Sequence, residues 1–338
     1  MSTAPPSGRQ RILDDLERAP SPDASSRDAL RLRADDILRP TGALARLDEI
    51  AIWAAGWQRT PTPRIERPFG IVFAADHGVA HAGVSKYPIE VTKAMLDAFA
   101  THRSTISALA RVAGAELAVV DVGVGRPSGD LRTERAVDDH RFDECVDAAY
   151  RAVDAADTDL LVLGEMGIGN TTPAAAVAHA LFGGAASDWV GRGTGVDDDG
   201  LARKRAAVES GVARLRDSSP LDVLAEVGGL ELVSIAAALV AARRRSLPVV
   251  LDGYVVTAAA AVLHAIRPDA LDHCLAGHCS AEPGHRRLLE RIGLTPILDL
   301  DLRLGEASGA MVAVPLVRMA CVAVTDVPTF SEFFGPER

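Results

Sequence analysis

Short apolar runs alternate along the chain with longer stretches in which apolar residues recur at every third or fourth position. The short runs predict buried strands over residues 69–76, 116–122, 160–163, 248–252 and 295–300. The periodic stretches predict helices over residues 26–57, 89–111, 139–154, 172–182, 198–216, 229–245, 254–265, 282–292 and 306–323. Strands that alternate with helices are typical of βαβ units, so the sequence predicts an α/β fold built on a parallel sheet.

The two chain ends differ from this alternating middle part. Residues 1–28 are rich in Pro, Ser and Asp and are predicted to be mobile at the start, and a proline-punctuated connector follows over 61–68. We expect helices of a small domain over 1–60 and a large α/β domain over 61–310. A C-terminal helix and tail over 311–338 are expected to close on the small domain.

Charge and composition exclude several classes of partner. The 338 residues carry a formal net charge of −10, so the chain is a poor match for nucleic acid or an anionic membrane surface. It has four cysteines but no Cys-x-x-Cys pair, no apolar core of a signal peptide near its N-terminus, and no uninterrupted apolar window of about 18 residues. We therefore expect a cytoplasmic protein with no membrane span, whose anionic ligands are held locally by loops.

One glycine-rich loop lies between a predicted strand and the next helix. Residues 164–172 read Gly-Glu-Met-Gly-Ile-Gly-Asn-Thr-Thr. Gly167 and Gly169 let the backbone approach a ligand closely. Asn170 and Thr171 stand at the start of the helix, where the N-terminus adds a partial positive charge. The pattern is equally compatible with an anion site, whose usual occupant is phosphate, and with a plain strand-turn-helix cap, which has the same spacing.

Other residues could complete an anion site or its sugar side. Glu165 lies inside the glycine loop, where an acid needs a specific partner, and a sugar hydroxyl is the natural one. Lys204 is one of three lysines in the chain, follows a second glycine loop, and could pair a phosphate. Asp252 and Gly253 follow the apolar residues of a predicted strand, and Ser280 stands near the cap of a predicted helix.

Two histidines raise the question of a metal site. His278 and His285 flank Cys279 in a stretch, residues 277–285, that is predicted to be a loop leading into a helix. Their spacing is not that of a zinc site. We therefore predict no metal ligand in this chain.

Glu306 is the candidate general base. It stands between small residues at the start of a very apolar helix. A carboxylate there would be partly desolvated, which raises its pKa and suits it to accept a proton near neutral pH. The alternative is a helix-start acid that only serves the helix dipole.

In their order along the chain, these motifs resemble those of one family. They are Phe-Ala-Ala-Asp-His-Gly-Val at 73–79, Gly-Val-Ser, Tyr-Pro and Glu-Val-Thr within 83–92, the loop at 164–172, Gly-Arg-Gly-Thr-Gly at 191–195, Ser-Ala-Glu-Pro-Gly-His at 280–285, and Arg-Leu-Gly-Glu at 303–306. The set resembles the nicotinate-nucleotide–dimethylbenzimidazole phosphoribosyltransferase family, from the lower-ligand branch of cobalamin synthesis. The resemblance runs from about residue 39 to about residue 334.

The resemblance implies a fold and a reaction. The fold is a Rossmann-like parallel sheet with helices on both faces, joined to a small helical domain from the chain termini, and the assembly is a homodimer. The reaction moves phosphoribose from nicotinate mononucleotide to 5,6-dimethylbenzimidazole and converts a β- to an α-glycosidic bond. It requires neither a metal nor a cofactor, because the pyridinium of the donor is already an activated leaving group.

The resemblance also implies roles for particular residues. Glu306 matches the catalytic base of the family, and Glu165 would contact the ribose or assist at the reacting centre. Phosphate contacts are implied for Gly167, Asn170, Lys204, Gly253 and Ser280, and contacts with the benzimidazole for Ser85, Met166 and Leu304. We add Gly169, Thr171 and Asp252 as candidate nucleotide-binding residues.

Several positions depart from the usual pattern of the family and leave the acceptor open. Lys93 and Ala94 stand where Ala-Gln is common, and residues 102–105 replace a stretch rich in Gly and Ala. Another benzimidazole, a purine or a phenol is therefore an alternative acceptor. A non-catalytic nucleotide-binding sensor is a further alternative.

Overall fold

Six parallel strands form one sheet in the computed structural model, which describes residues 6–335. The strands are β1 (Pro68–Ala75), β2 (Glu116–Gly123), β3 (Leu160–Met166), β4 (Val249–Leu251), β5 (Cys274–Cys279) and β6 (Pro296–Asp299). Their order across the sheet is β2-β1-β3-β4-β5-β6, and each neighbouring pair is parallel. Strand β2 lies on one side of β1, and β3 to β6 follow on the other side. Such a reversal of strand order opens a crevice at the carboxyl ends of the strands. The predicted Rossmann-like sheet is confirmed.

Helices cover both faces of this sheet. They are α1 (Gly8–Glu17), α2 (Ala24–Asp36), α3 (Arg46–Gln58), α4 (Val91–Ala100), α5 (Thr105–Ala113), α6 (Asp139–Ala155), α7 (Thr171–Phe182), α8 (Asp198–Ala213), α9 (Pro220–Val227), α10 (Leu230–Arg244), α11 (Tyr254–Ile266), α12 (Pro283–Arg291), α13 (Ser308–Thr325) and α14 (Phe330–Phe334). One face packs against α1, α6, α7, α9, α10 and α11. The other packs against α2, α3, α5 and α13.

The apolar runs form strands because both faces of the sheet are covered. Successive residues of a strand point to opposite faces, so Phe73 belongs to one core and its neighbour Val72 to the other. Leu161 and Val162 divide between the same two cores, and all four side chains are fully buried. Burying each such side chain stabilises the fold by roughly 1.5–3 kcal/mol.

Strand β5 is a correction to the sequence prediction, which made residues 277–285 a loop. It lies inside the sheet, between β4 and β6. Its sequence, Cys-Leu-Ala-Gly-His-Cys, lacks the β-branched residues by which strands are recognised. Gly277 is needed there because a Cβ would come within 2.6 Å of Cα of Ala310 in α13.

Three further predictions were wrong in detail. The helix predicted over 26–57 is interrupted between Asp36 and Arg46 and forms α2 and α3. The helix predicted over 89–111 is broken into α4 and α5 at His102, whose φ is 54°. Ser104 then starts α5 by accepting a hydrogen bond from the N–H of Ser107. In the segment predicted to be mobile, the structure has α1, which buries Ile12 and Leu16 against α6 and α10.

The two ends of the chain meet beside the sheet. Ile37 forms an antiparallel bridge with Thr329, and Arg33 pairs with Glu332 at 2.8 Å. Helix α1 lies apart from this contact, on the other face of the sheet. The boundaries at 60 and 310 stay predictions, and the first five and last three residues of the predicted terminal segments lie outside the described residues.

Helix α13 is a core element of the fold. By length and composition alone it could cross a membrane, but 56% of it is buried inside the protein. It packs against α3, α5 and β5, and its buried residues join the core on that face of the sheet. The packing accounts for its apolar sequence.

The docking of α1 can be tested with two leucines of the same helix. Leu16→Ala removes a side chain that is 2% exposed and is expected to make undocking of α1 easier by about 2–4 kcal/mol. Trypsin cleavage after Arg18 should therefore accelerate at least tenfold. Leu13→Ala is the control, because Leu13 is 40% exposed. Equal cleavage rates in the two variants would show that α1 is not held by this packing.

Candidate active site

A cavity of about 280 Å³ opens at the carboxyl ends of the strands. The loops after β1, β3, β4, β5 and β6 all contribute to its wall. This is where ligands bind in open parallel sheets. The predicted site residues that line it are Ser85, Glu165, Met166, Gly167, Gly169, Asn170, Thr171, Lys204, Gly253, Ser280, Leu304 and Glu306.

Asp252 is the exception among the predicted residues. It is fully buried and does not line the cavity. Its Oδ1 accepts a hydrogen bond from the N–H of Ala310 at 2.9 Å. Its placement behind Gly253 differs from the prediction that it contacts the nucleotide.

Lys204 is buried with its ammonium group at the cavity wall. It is 1% exposed, and its Nζ donates to Oγ1 of Thr171 at 2.7 Å. Burial lowers the pKa of Lys204 to about 8, and the negative charge of Glu282 opposes this shift. A bound anion would stabilise the charged form of Lys204 and raise its pKa again. The ammonium group is therefore protonated when an anion occupies the site.

The backbone beside Lys204 is shaped for close contact. Gly193 has a φ of 54°, and a Cβ there would lie 3.1 Å from both Nζ of Lys204 and Oγ1 of Thr171. Gly169 has a φ of 88°, and helix α7 begins two residues later at Thr171. In the first turn of α7 the N–H of Thr172 donates to the carbonyl oxygen of Gly169, and Pro173 has no N–H. The start of α7 therefore acts on an anion at this wall of the cavity mainly through the positive end of the helix dipole.

Glu282 is a site residue that the sequence analysis did not assign. Its Oε1 accepts the N–H of Gly193 at 2.7 Å, which fixes the second glycine loop against the site. Its Oε2 is buried and has no hydrogen-bond partner among the described residues. The signal was available, because Glu282 belongs to the Ser-Ala-Glu-Pro-Gly-His motif.

His285 orients Ser280 with one ring nitrogen and contacts Thr257 with the other. Its Nδ1 accepts the N–H of Ser280 at 2.9 Å, so its proton is on Nε2, which donates to Oγ1 of Thr257 at 2.9 Å. Burial lowers the pKa of His285 to about 3 and keeps the ring neutral. Both ring nitrogens are therefore occupied within the protein, while the neighbouring His278 lines the cavity.

Two buried carboxylates form the other part of the site. Burial raises the pKa of Glu306 to about 7, and the negative charge of Asp252 acts in the same direction. Burial also raises the pKa of Glu165 to about 8, against the hydrogen bond that Nδ2 of Asn170 donates to its Oε2. Oε2 of Glu306 is buried and has no hydrogen-bond partner in residues 6–335. Glu306 can therefore accept a proton from a ligand near neutral pH.

A left-handed turn presents Glu306 to the cavity. Gly305, Glu306 and Ala307 have φ values of 83°, 61° and 69°. For the two non-glycine residues this conformation costs about 1 kcal/mol or more each. The N–H of Glu306 donates to the carbonyl oxygen of Glu165 at 3.1 Å, which ties the turn to the end of β3.

An apolar wall completes the cavity. Met166 and Leu304 line it together with Ser85, Val91 and Met95. A flat aromatic ring would be held there by dispersion and by loss of hydration.

The departures from the usual family pattern lie elsewhere. Lys93 and Ala94 are exposed on α4, and neither they nor residues 102–105 line the cavity.

Comparison with known proteins agrees with this geometry. A family model described as Phosphoribosyltransferase matches residues 19–333. The nicotinate-nucleotide–dimethylbenzimidazole phosphoribosyltransferase of Ruegeria pomeroyi is 48% identical over 319 residues, which are 94% of this chain and 95% of that protein. The enzyme of the same name from Mesorhizobium japonicum is 48% identical over 326 residues, 95% of this chain and 97% of that protein.

A solved structure supports the same assignment. The crystal structure of nicotinate-nucleotide–dimethylbenzimidazole phosphoribosyltransferase from Thermus thermophilus has a TM-score of 0.88 to this chain at 39% identity. The match covers 94% of this chain and all of that one. The chain therefore belongs to the nicotinate-nucleotide–dimethylbenzimidazole phosphoribosyltransferase family and is an enzyme of the pentosyltransferase class.

Proposed function

We propose that this enzyme transfers the phosphoribosyl group of nicotinate mononucleotide to 5,6-dimethylbenzimidazole, giving α-ribazole 5′-phosphate and nicotinate. The observation that carries the proposal is Glu306, a buried carboxylate with an unpartnered oxygen in the wall of a cavity that also contains a phosphate cradle. A purely nucleotide-binding protein has no use for such a base. The relatives named above have the same reaction in their names.

The proposed reaction breaks one bond to C1′ of the ribose, forms another, and transfers one proton to Glu306. The bond from C1′ of the ribose to the pyridinium nitrogen breaks, and its electron pair neutralises the nicotinate ring. A benzimidazole nitrogen bonds to C1′ from the opposite face, which gives the α-anomer. The proton on the other benzimidazole nitrogen passes to the carboxylate of Glu306, so the product ring is neutral.

The charged groups of the site suit the two ends of the donor. Lys204, the start of α7 and the glycine backbones at 167, 169 and 253 would bind the phosphate, with Ser280 and Thr171 donating hydroxyl hydrogen bonds. Glu165 would bind a ribose hydroxyl, because near the end of β3 it contacts both Asn170 on the phosphate side and Glu306. The base would lie against Met166, Leu304 and Ser85.

The homodimer and the cytoplasmic location belong to the same proposal. Tyr87 and Leu304 are 47% and 48% exposed at the cavity, and a second subunit would shield such apolar side chains from water. The described cysteines are all free and buried, which suits a reducing compartment.

Removal of the base tests the reaction. Glu306→Gln keeps the shape of the side chain but cannot accept the proton, so kcat is expected to fall by about 10²–10⁴. Binding of nicotinate mononucleotide, measured by calorimetry, should change little. Glu290→Gln, at an exposed glutamate of α12, is the control and should keep full turnover. Near-normal nicotinate release by Glu306→Gln would exclude Glu306 as the base.

The pH dependence has a defined direction. Because the pKa of Glu306 is raised to about 7 by burial, the carboxylate is the minor form below this pH. The rate with dimethylbenzimidazole should therefore rise with pH through about 7 and then level off. The measurement is kcat/KM for dimethylbenzimidazole between pH 5 and 9 at saturating nicotinate mononucleotide, whose bound phosphate keeps Lys204 charged; this range is about two units on either side of the expected midpoint. A rate that is flat from pH 5 to 8 would contradict the assignment.

The phosphate site can be tested through its lysine. Lys204→Met removes a charged hydrogen bond and is expected to raise KM for nicotinate mononucleotide about 10–100-fold. The KM for nicotinate riboside, which lacks the phosphate, should rise much less. The preference of the enzyme for the phosphorylated donor should therefore be largely lost. Lys93→Met is the control, because Lys93 is exposed on α4. An unchanged preference in Lys204→Met would place the phosphate elsewhere.

A further inference from the structure

Helix α13, which follows the catalytic turn, begins without a cap from its own sequence. The residue at its N-cap, Ala307, has no side chain that can accept a hydrogen bond. It also has a left-handed backbone, as does Glu306 before it. A helix start of this kind leaves N–H groups unsatisfied unless another part of the chain supplies an acceptor.

Asp252 supplies that acceptor from 58 residues away in sequence. Its Oδ1 accepts the N–H of Ala310, the third residue of α13, at 2.9 Å. This is one of the N–H groups that an N-cap side chain normally satisfies. The carboxylate is also well placed to interact with the positive end of the helix dipole.

The carboxylate of Asp252 lies beneath the cavity wall and does not line the cavity. Asp252 is fully buried at the end of β4, immediately before the cavity-lining Gly253. Its negative charge acts on both Glu306 and Glu165. Asp252 contacts the first turn of α13, directly behind the catalytic turn, but not the cavity. It can therefore affect the reaction only through this helix start and through its charge.

The surroundings of Glu306 leave Asp252 as its main negative neighbour. From β3 it is faced by Glu165, and from β5 by His278, whose Nε2 lies 3.4 Å from Oδ1 of Asp252. Arg303, on the same loop as Glu306, is exposed at the cavity. Oδ2 of Asp252 is buried and has no hydrogen-bond partner among the described residues, so its charge is poorly neutralised.

We propose that Asp252 is a positioning residue for Glu306: its carboxylate caps α13 from outside and holds the strained turn before it in place. Its negative charge also disfavours ionisation of Glu306. This inference rests on the proposed function, since Glu306 needs positioning only if it accepts the proton. It replaces the contact with the nucleotide that the sequence predicted for Asp252.

Two substitutions separate the cap from the charge. Asp252→Asn keeps an oxygen acceptor for the N–H of Ala310 but removes the negative charge. The midpoint of the rise of kcat/KM with pH is then expected to move down by about one unit, because a like charge no longer opposes ionisation of Glu306. Asp252→Ala removes the acceptor as well, and its kcat is expected to fall at least tenfold, with KM for nicotinate mononucleotide within about twofold of the wild type.

Hydrogen exchange gives a readout that does not require turnover. Amides of residues 305–311 should exchange faster in Asp252→Ala than in the wild type, while Asp252→Asn should protect them nearly as well. Asp121→Asn is the control, because Asp121 likewise accepts backbone N–H groups, those of Gly123 and Val124, but at the end of the edge strand β2 and not at the start of α13. It should leave both the pH profile and exchange at 305–311 unchanged.

The outcomes are distinguishable. An unshifted pH profile in Asp252→Asn, or normal kcat and exchange in Asp252→Ala, would overturn the positioning role. A raised KM for nicotinate mononucleotide with normal kcat in both variants would overturn it too, in favour of direct contact with the nucleotide. Failure of the wild-type enzyme to release nicotinate in the presence of the base would instead refute the proposed function, and the exchange result would still test the cap.

Discussion

The close approach of β3 to the turn before α13 is the constraint on which the site depends. A Cβ at Gly164 would overlap the backbone of Ala307, so the strand must have glycine at that point. The contact lets the N–H of Glu306 reach the carbonyl oxygen of Glu165 at 3.1 Å. Two carboxylates from residues 165 and 306, which are 141 positions apart in sequence, are thereby brought together in a place where water solvates each of them poorly.

Loss of hydration then determines the chemistry. Burial raises the pKa values of Glu165 and Glu306 and lowers that of Lys204, so each charged form lacks part of the stabilisation it would have in water. The substrates can supply what is missing. The phosphate of the donor would stabilise the ammonium group of Lys204. The N–H of the benzimidazole would give its proton to the carboxylate of Glu306 as the other ring nitrogen bonds to the ribose. The free enzyme is therefore preorganised for the charges that develop during transfer.

The sequence predicted the parts of the structure in which local pattern and tertiary role agree. Apolar runs predicted β1, β2 and β3 because buried parallel strands read as such runs. Glycine spacing led to the cavity wall at 164–172. Glu306 was found because small residues and an apolar helix predict a desolvated acid.

The parts that the sequence missed depend on contacts between distant segments. Strand β5 has a weak strand pattern, and only its neighbours β4 and β6 make it a strand. The cap that Asp252 gives to α13 spans 58 residues, so no local rule could show it. Glu282 is different, because its motif marked the residue and only its contact was hidden: its bond to Gly193 joins two loops that folding brings together.

The most direct test of this account is a product analysis with competing acceptors. The purified protein is incubated with nicotinate mononucleotide and an equimolar mixture of 5,6-dimethylbenzimidazole, benzimidazole, adenine and p-cresol. The riboside 5′-phosphates are quantified and their anomeric configuration is determined by NMR. The account predicts one nicotinate released per riboside phosphate formed, with the α-anomer of the dimethylbenzimidazole product predominant. Nicotinate release without a riboside phosphate, a β-anomer, or a predominant purine or phenol product would contradict it.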